Sequence, residues 1–237
     1  MNQQVIDGKE LGLIEIRRNV RAKRYLLRIV NGKIIATIPK GGTTQEILSF
    51  IDSKRKRLIE MLAKHQTQPV LNEDSRLKTC TFEIHIFRTQ RTNIYVSLKD
   101  SILHIACPEK IDFNDGQIQQ KLWSIVTKVI RMEALRVLPS RLAMLADRHG
   151  FRYAGVSIRQ TRTRWGSCSS KKRISLSASL MYLPEYLIDY VLLHELCHTR
   201  EMNHSKQFWL LMNQVTNGNA QKFRTALKAF PAFARST

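Results

Sequence analysis

The residues best able to do chemistry lie in Pro184-Glu-Tyr-Leu-Ile-Asp-Tyr-Val-Leu-Leu-His194-Glu195-Leu-Cys-His198. Pro184 suits the first turn of a helix, where its missing N–H is no loss, and Glu185 favours the positive end of that helix. On a helix, four-residue spacing sets His194 and His198 one turn apart on one face, with Leu187 and Val191 preceding them there. The pair thus continues a buried stripe into a cleft. Glu195 sits about 100° around from His194. Two imidazoles beside a carboxylate form H-E-x-x-H, in which the histidines bind zinc and the glutamate activates water. Chance gives roughly one such match per hundred chains of this composition, and here the match falls on an expected helix.

A catalytic zinc takes a third protein ligand and keeps its fourth position open. The expected third ligand is His204, six residues after His198 and beyond a segment, Thr199-Arg-Glu-Met-Asn203, long enough to end the helix and fold back. Glu201 is the runner-up, since a downstream carboxylate is another common ligand. Cys197 points away from the histidine edge and reads as a small buried residue. His65, His85, His104 and His149 stand alone in other elements and read as surface or core residues.

These side chains need a scaffold, and the pattern upstream supplies one. Leu11 to Arg18, Tyr25 to Val30 and Ile34 to Ile38 are β-prone, with Asn31-Gly32 as a hairpin turn and Pro39 as a stop. Thr43 or Thr44 caps a helix through Ile47, Phe50, Ile51, Leu58 and Leu62. Residues 66–78 read as a polar connector. The order then recurs: strands Thr81 to Phe87, Ile94 to Leu98 and Ile102 to Ala106, a stop at Pro108, and a helix capped by Asn114 or Asp115. The two prolines are 69 positions apart, which raises an internal duplication. Pro139 is expected to interrupt or end the long helix. Val156 to Ile158 and Ile174 to Leu180 read as strands, with Gly166 in a polar loop between them. From Pro184 the chain is helical, with breaks near Asn203-His204 and Asn217-Gly218.

The fold class expected is α+β, with a β-rich region over residues 1–110 and a mainly helical metal-binding region over 111–237. At 237 residues the chain can bury a core without a disulfide or metal. The start of the sequence has no apolar run, and no stretch approaches the ~18 apolar residues of a membrane span. The four cysteines have no C-x-x-C spacing and read as reduced thiols in a cytoplasmic protein.

Charge is the outlier: 39 Lys+Arg against 19 Asp+Glu give +20. Such an excess favours a polyanionic partner such as nucleic acid or nucleotide. Residues 1–100 carry 19 basic and 10 acidic side chains and residues 101–237 carry 20 and 9, so no basic tail exists. The one acid-free concentration runs from Arg152 to Arg173, with seven basic residues. There Arg159, Arg162, Arg164, Lys171, Lys172 and Arg173 surround Trp165, and one reading is an anion-binding rim with an aromatic platform in which Arg162, Arg164 and Trp165 contact the substrate. The competing reading puts Trp165 in the core and leaves the arginines solvated.

The run Arg164-Trp-Gly-Ser-Cys168, with Ile174-Ser-Leu, Leu183-Pro, Ile188-Asp-Tyr-Val191, the H-E-x-x-H segment, Asn203-His-Ser205 and Phe208-Trp209, resembles the YgjP-like metallopeptidase family. That family is related to SprT-like zinc proteases. Arg21-Ala-Lys-Arg24, Gly32 and Ile38-Pro39 match its amino-terminal pattern, so the resemblance spans about residue 14 to about 225. It implies a zincin-like site with His194, His198 and His204 as ligands and Glu195 as base. It also implies a β-rich amino-terminal region packed on a helical metal-binding region. Cys197 departs from the family's common Ala, and Ser175 and Ser177 stand where Asn often appears.

The leading functional reading is a zinc-dependent hydrolase, a metallopeptidase whose activated water attacks an amide carbonyl with Glu195 as general base. Three alternatives stay open. The same site could hydrolyse nucleoside triphosphates held by the basic rim, or it could serve a DNA-associated, SprT-like protease that binds nucleic acid through its basic surface. A purely structural metal would need a fourth protein ligand.

Overall fold

Ile14, Ile16, Ile34, Ala36 and Ile38 alternate along their strands and are almost fully buried, and this period of two builds the first sheet. The computed structural model describes residues 3–30, 33–65, 69–161 and 164–230 and divides into two units, Met1–Pro69 and Val70–Thr237. In the first unit, β1 (Gln3–Asp7), β2 (Leu13–Arg18), β3 (Leu26–Val30) and β4 (Lys33–Ile38) form a sheet in the order β1-β2-β4-β3. The expected hairpin turn Asn31-Gly32 lies outside the described residues. The single helix expected next is two, α1 (Thr44–Ser53) and α2 (Arg55–His65), separated at Lys54. Thr43 caps α1 reciprocally with Glu46, its hydroxyl accepting from the Glu46 N–H at 3.2 Å. Ile47, Ile51, Leu58 and Leu62 close this unit's own core.

The second unit repeats the pairing scheme. In β5 (Glu83–Thr89), β6 (Tyr95–Lys99) and β7 (Ile102–Pro108), the third strand lies between the others, parallel to the first and antiparallel to the second. β2, β3 and β4 pair in the same way, β4 parallel to β2 and antiparallel to β3. A third copy of the scheme is formed by β8 (Gly155–Arg159), β9 (Gly166–Cys168) and β10 (Arg173–Ser177). Gly166 is therefore in a strand, not a loop. Gly-Ser-Cys has no apolar alternation, and the strand exists because β10 offers it a ladder. The strand expected to reach Leu180 stops at Ser177, whose hydroxyl turns the chain into a 3-10 helix, Ala178–Tyr182, by accepting from the Ser179 N–H at 3.2 Å.

Three helices complete the unit around α3 (Gly116–Arg148), namely α4 (Glu185–Cys197), α5 (Lys206–Val215) and α6 (Ala220–Lys228). Asp115 caps α3 at 2.6 Å from the Gln117 N–H. Pro139 does not end this helix, which runs 33 residues without a break. Proline removes one hydrogen bond there, to the Leu135 carbonyl, but Leu135 is exposed and Leu138 and Leu142 on either side of the proline are fully buried. The burial on both sides outweighs a local loss of about 3 kcal/mol. The connector past Pro69 is also anchored: Gln119 accepts from the Leu71 N–H and donates to its carbonyl, both at 2.8 Å.

The unit boundary at Pro69 lies well before the expected one at 110, because β5 to β7 share one core with α3, α4 and α5. Among the described residues, no helix is long and apolar enough to cross a membrane.

α4 is fixed to α3 by charge. Arg141 donates from Nε and Nη2 to the Asp189 carboxylate at 2.5 and 3.0 Å and reaches Glu185 at 3.0 Å. The half-buried Arg141–Asp189 pair, with the exposed Glu185 beside it, orients the helix that carries the histidines. Arg141→Ala is expected to lower unfolding free energy by about 2 kcal/mol, since charged hydrogen bonds contribute on that scale, measured by urea denaturation.

Candidate metal centre

α4 is apolar almost all round and is buried on nearly every side, as a central helix must be. Its last turn carries His194 and Glu195, and His198 is its C-terminal cap. The chain then turns back through residues 199–205 and enters α5, whose cap Ser205 accepts from the Phe208 N–H at 3.3 Å. This return brings His204 to the other two histidines. The His194 Nε2 lies 3.2 Å from the His198 Nε2 and 3.1 Å from the His204 Nε2. Nitrogens held at about 2.0–2.1 Å from one tetrahedral ion stand ~3.3 Å apart, so the trio fits one face of such an ion.

Two contacts hold the rings in that pose. The His198 Nδ1 is 2.9 Å from the Glu201 carbonyl, so it carries the proton and leaves Nε2 as the free lone pair. Glu201 thus meets the site through its backbone, while among the described residues the group that could hold a metal is His194, His198 and His204. Phe208 is fully buried beneath the trio, with centroid distances of 4.9, 4.6 and 4.8 Å to the rings of His194, His198 and His204.

Burial lowers the His194 pKa to about 3, helped by the charges of His198 and His204, and lowers that of His204 as well. Both rings are therefore neutral at pH 7 and in the form a metal takes. Cys197 is fully buried, its thiol pushed up to about 12 by burial, as befits a packing residue.

Glu195 is 5% exposed, and among the described residues its Oε2 has no hydrogen-bond partner. Burial pushes its carboxyl up to about 8. Its other oxygen faces Gly166, where an added Cβ would stand 2.6 Å from Oε1 and 2.7 Å from Cγ. Only glycine lets β9 pass this close to the carboxylate. A cleft of about 240 Å³ opens in front, lined by Gly166, Ser167, Cys168, His194, Glu195, His198, Met202 and His204.

The acid-free run therefore reaches the cleft through Gly166, Ser167 and Cys168. Arg164 is exposed, Trp165 is half-buried against the core, and Arg162 lies outside the described residues. Gly166 stands in the Trp-Gly-Ser run, but its closeness to Glu195 is a contact between distant segments that spacing does not carry, and no sequence signal marks Met202.

The chain matches the sequence profile of the YgjP-like, metallopeptidase domain over residues 23–230. Among solved structures, the metallopeptidase zymogen of Pyrococcus abyssi abylysin is 27% identical with a TM-score of 0.35, covering 39% of this chain and 95% of that one. A search of curated proteins finds no match.

The raised carboxyl carries a stability prediction for the metal-free protein. Between the ordinary value of 4.5 and the folded value of about 8, the unfolded chain loses this proton and the folded chain keeps it. Ionisation thus favours unfolding as pH rises through that window, and the penalty is constant above it. Glu195→Gln is expected to stabilise metal-free protein by on the order of 5 kcal/mol at pH 8.5 and by almost nothing at pH 4, measured by thermal melts in chelator.

Proposed function

The chain belongs to the YgjP-like metallopeptidase family, and on that premise we propose a zinc-dependent peptidase in which His194, His198 and His204 hold the ion and Glu195 is the general base. The observation that supports this reading best is the buried, unpartnered Glu195 Oε2 beside three converging imidazole nitrogens. The donor set suits zinc, which favours nitrogen ligands at tetrahedral angles and is left here with a position free of protein. Bound there, zinc would polarise the scissile carbonyl and make a water more acidic.

The protein's own groups do the rest. Glu195 takes the proton of the attacking water and later delivers it to the leaving amine. Its low-dielectric setting strengthens that proton exchange, because little bulk water competes for the carboxylate. Gly166 holds no side chain in the carboxylate's way, and Phe208 fixes the three imidazoles from below. The cation offsets part of the burial effect on Glu195, so the carboxylate form is available near neutral pH.

Zinc-loaded protein is expected to cleave an unfolded protein such as casein. Glu195→Gln should lower that rate by about 10²–10⁴ with zinc content unchanged, because it removes only the base. His204→Ala should instead lower zinc content, read by metal analysis. Hydrolysis of nucleoside triphosphates by zinc-loaded protein that leaves peptides intact would overturn the reading in favour of a nucleotide hydrolase.

Gly166→Ala tests the close approach of β9. The methyl group must displace Glu195, and a misplacement near 1 Å costs about 10² in rate. The expected result is a fall in kcat of that order with zinc content kept, measured on the same peptide.

A further inference from the structure

Arg224, on α6, lies far from the H-E-x-x-H segment in sequence and close to it in space. Its guanidinium carbon stands 4.9 Å above the Trp209 ring, and Trp209 in turn stacks on His204 at 6.0 Å and 29°. The contact runs from a cation through an aromatic ring to one of the three histidines. A guanidinium held on an indole face is restrained but still presents its N–H edge outward.

Two further observations mark this as more than a packing contact. Arg224 is exposed, and among the described residues no ion pair involves it. Its neighbour on α6, Phe223, packs 6.1 Å from the Tyr190 ring, which itself lies 6.2 Å from the ring of His194. Among the residues that line the cleft the one carboxylate, Glu195, is buried, and Arg224 is an exposed cation packed beside its His204 edge through Trp209.

Resting on the peptidase reading above, we propose that Arg224 is a specificity-determining residue that pairs with a carboxylate of the bound peptide, so that acidic peptides are the preferred substrates. Trp209 is the positioning residue that holds the guanidinium beside His204. A carboxylate meets the planar fork of arginine with two parallel hydrogen bonds, which lysine cannot match. That carboxylate can come from an Asp or Glu side chain or from the peptide's own C-terminus.

The test measures kcat/KM of the zinc-loaded full chain on three matched peptides: one with an acidic residue near the scissile bond, one with its amide counterpart, and one neutral peptide made with free and amidated C-termini. An acidic-to-neutral selectivity near tenfold is expected, carried by KM rather than kcat. Arg224→Ala should collapse this ratio toward one, Arg224→Lys should keep part of it, and Arg224→Glu should invert it toward basic peptides. Preference for the internal acid names the side chain as the source, and preference for the free terminus names the C-terminus. A ratio unchanged in folded Arg224→Ala and Arg224→Glu, or no acidic preference in the parent, overturns the proposal and leaves the peptidase reading in place.

Binding separates the two failures. Zinc-loaded Glu195→Gln protein, titrated with the same fluorescent peptides, should bind the acidic one about tenfold more tightly, and Arg224→Ala added to it should erase the difference. Peptides bound in that manner but never cleaved by the parent protein would overturn the peptidase reading while supporting the carboxylate contact.

Discussion

A carboxylate kept out of water without a hydrogen-bond partner is among the costliest things a fold can contain. Glu195 is such a group, and much of the second unit exists to keep it where it is. α4 is sheathed on nearly all sides, so the turn bearing Glu195 cannot tilt toward solvent. Arg141 pins the start of that helix against α3. β9 lies against the carboxylate through a residue with no side chain, which excludes water from one flank and leaves the other facing the cleft. The imidazoles of His194 and His204 share this desolvation, and it holds them neutral. The site's readiness to take a cation and the burden of burying its base are thus one property, seen from two sides.

Much of this arrangement was legible in the sequence. Four-residue spacing within a helical stretch is a local geometric statement, and His194, Glu195 and His198 could be set on one turn from it alone. His204 needed only the length of the segment after the helix. What spacing could not supply was contact between distant segments. Gly166 sits in three residues with no β-prone alternation, and its strand is induced by β10. Arg224 stands in no motif, because its place over Trp209 depends on how α5 and α6 pack. The same limit explains Pro139: proline's local preference is real, but the burial of Leu138 and Leu142 is tertiary and wins.

The repeated pairing scheme shows how one backbone pattern can serve different ends. In the first unit, β2 to β4 support two helices over a core of their own. In the second, β5 to β7 share their core with α3 and α4. The third copy is the shortest, and its antiparallel strand has shrunk to the three residues that line the cleft. The basic excess likewise changes meaning along the chain: it is spread over both units, and only where it meets the cleft does it have a chemical neighbour to act upon.

The proline within α3 has a consequence for how the second unit breathes. Before it, Gln119 ties the helix to the Leu71 segment; after it, Arg141 ties the helix to α4. The backbone ladder between those anchors lacks one rung, at the Leu135 carbonyl, on a side that water can reach. Such a gap is where a long helix divides into separately opening segments. Because Leu122, Val126 and Ile130 before the gap and Leu138 and Leu142 after it lie in the same core as α4, the two segments are held together by side chains where the backbone is not.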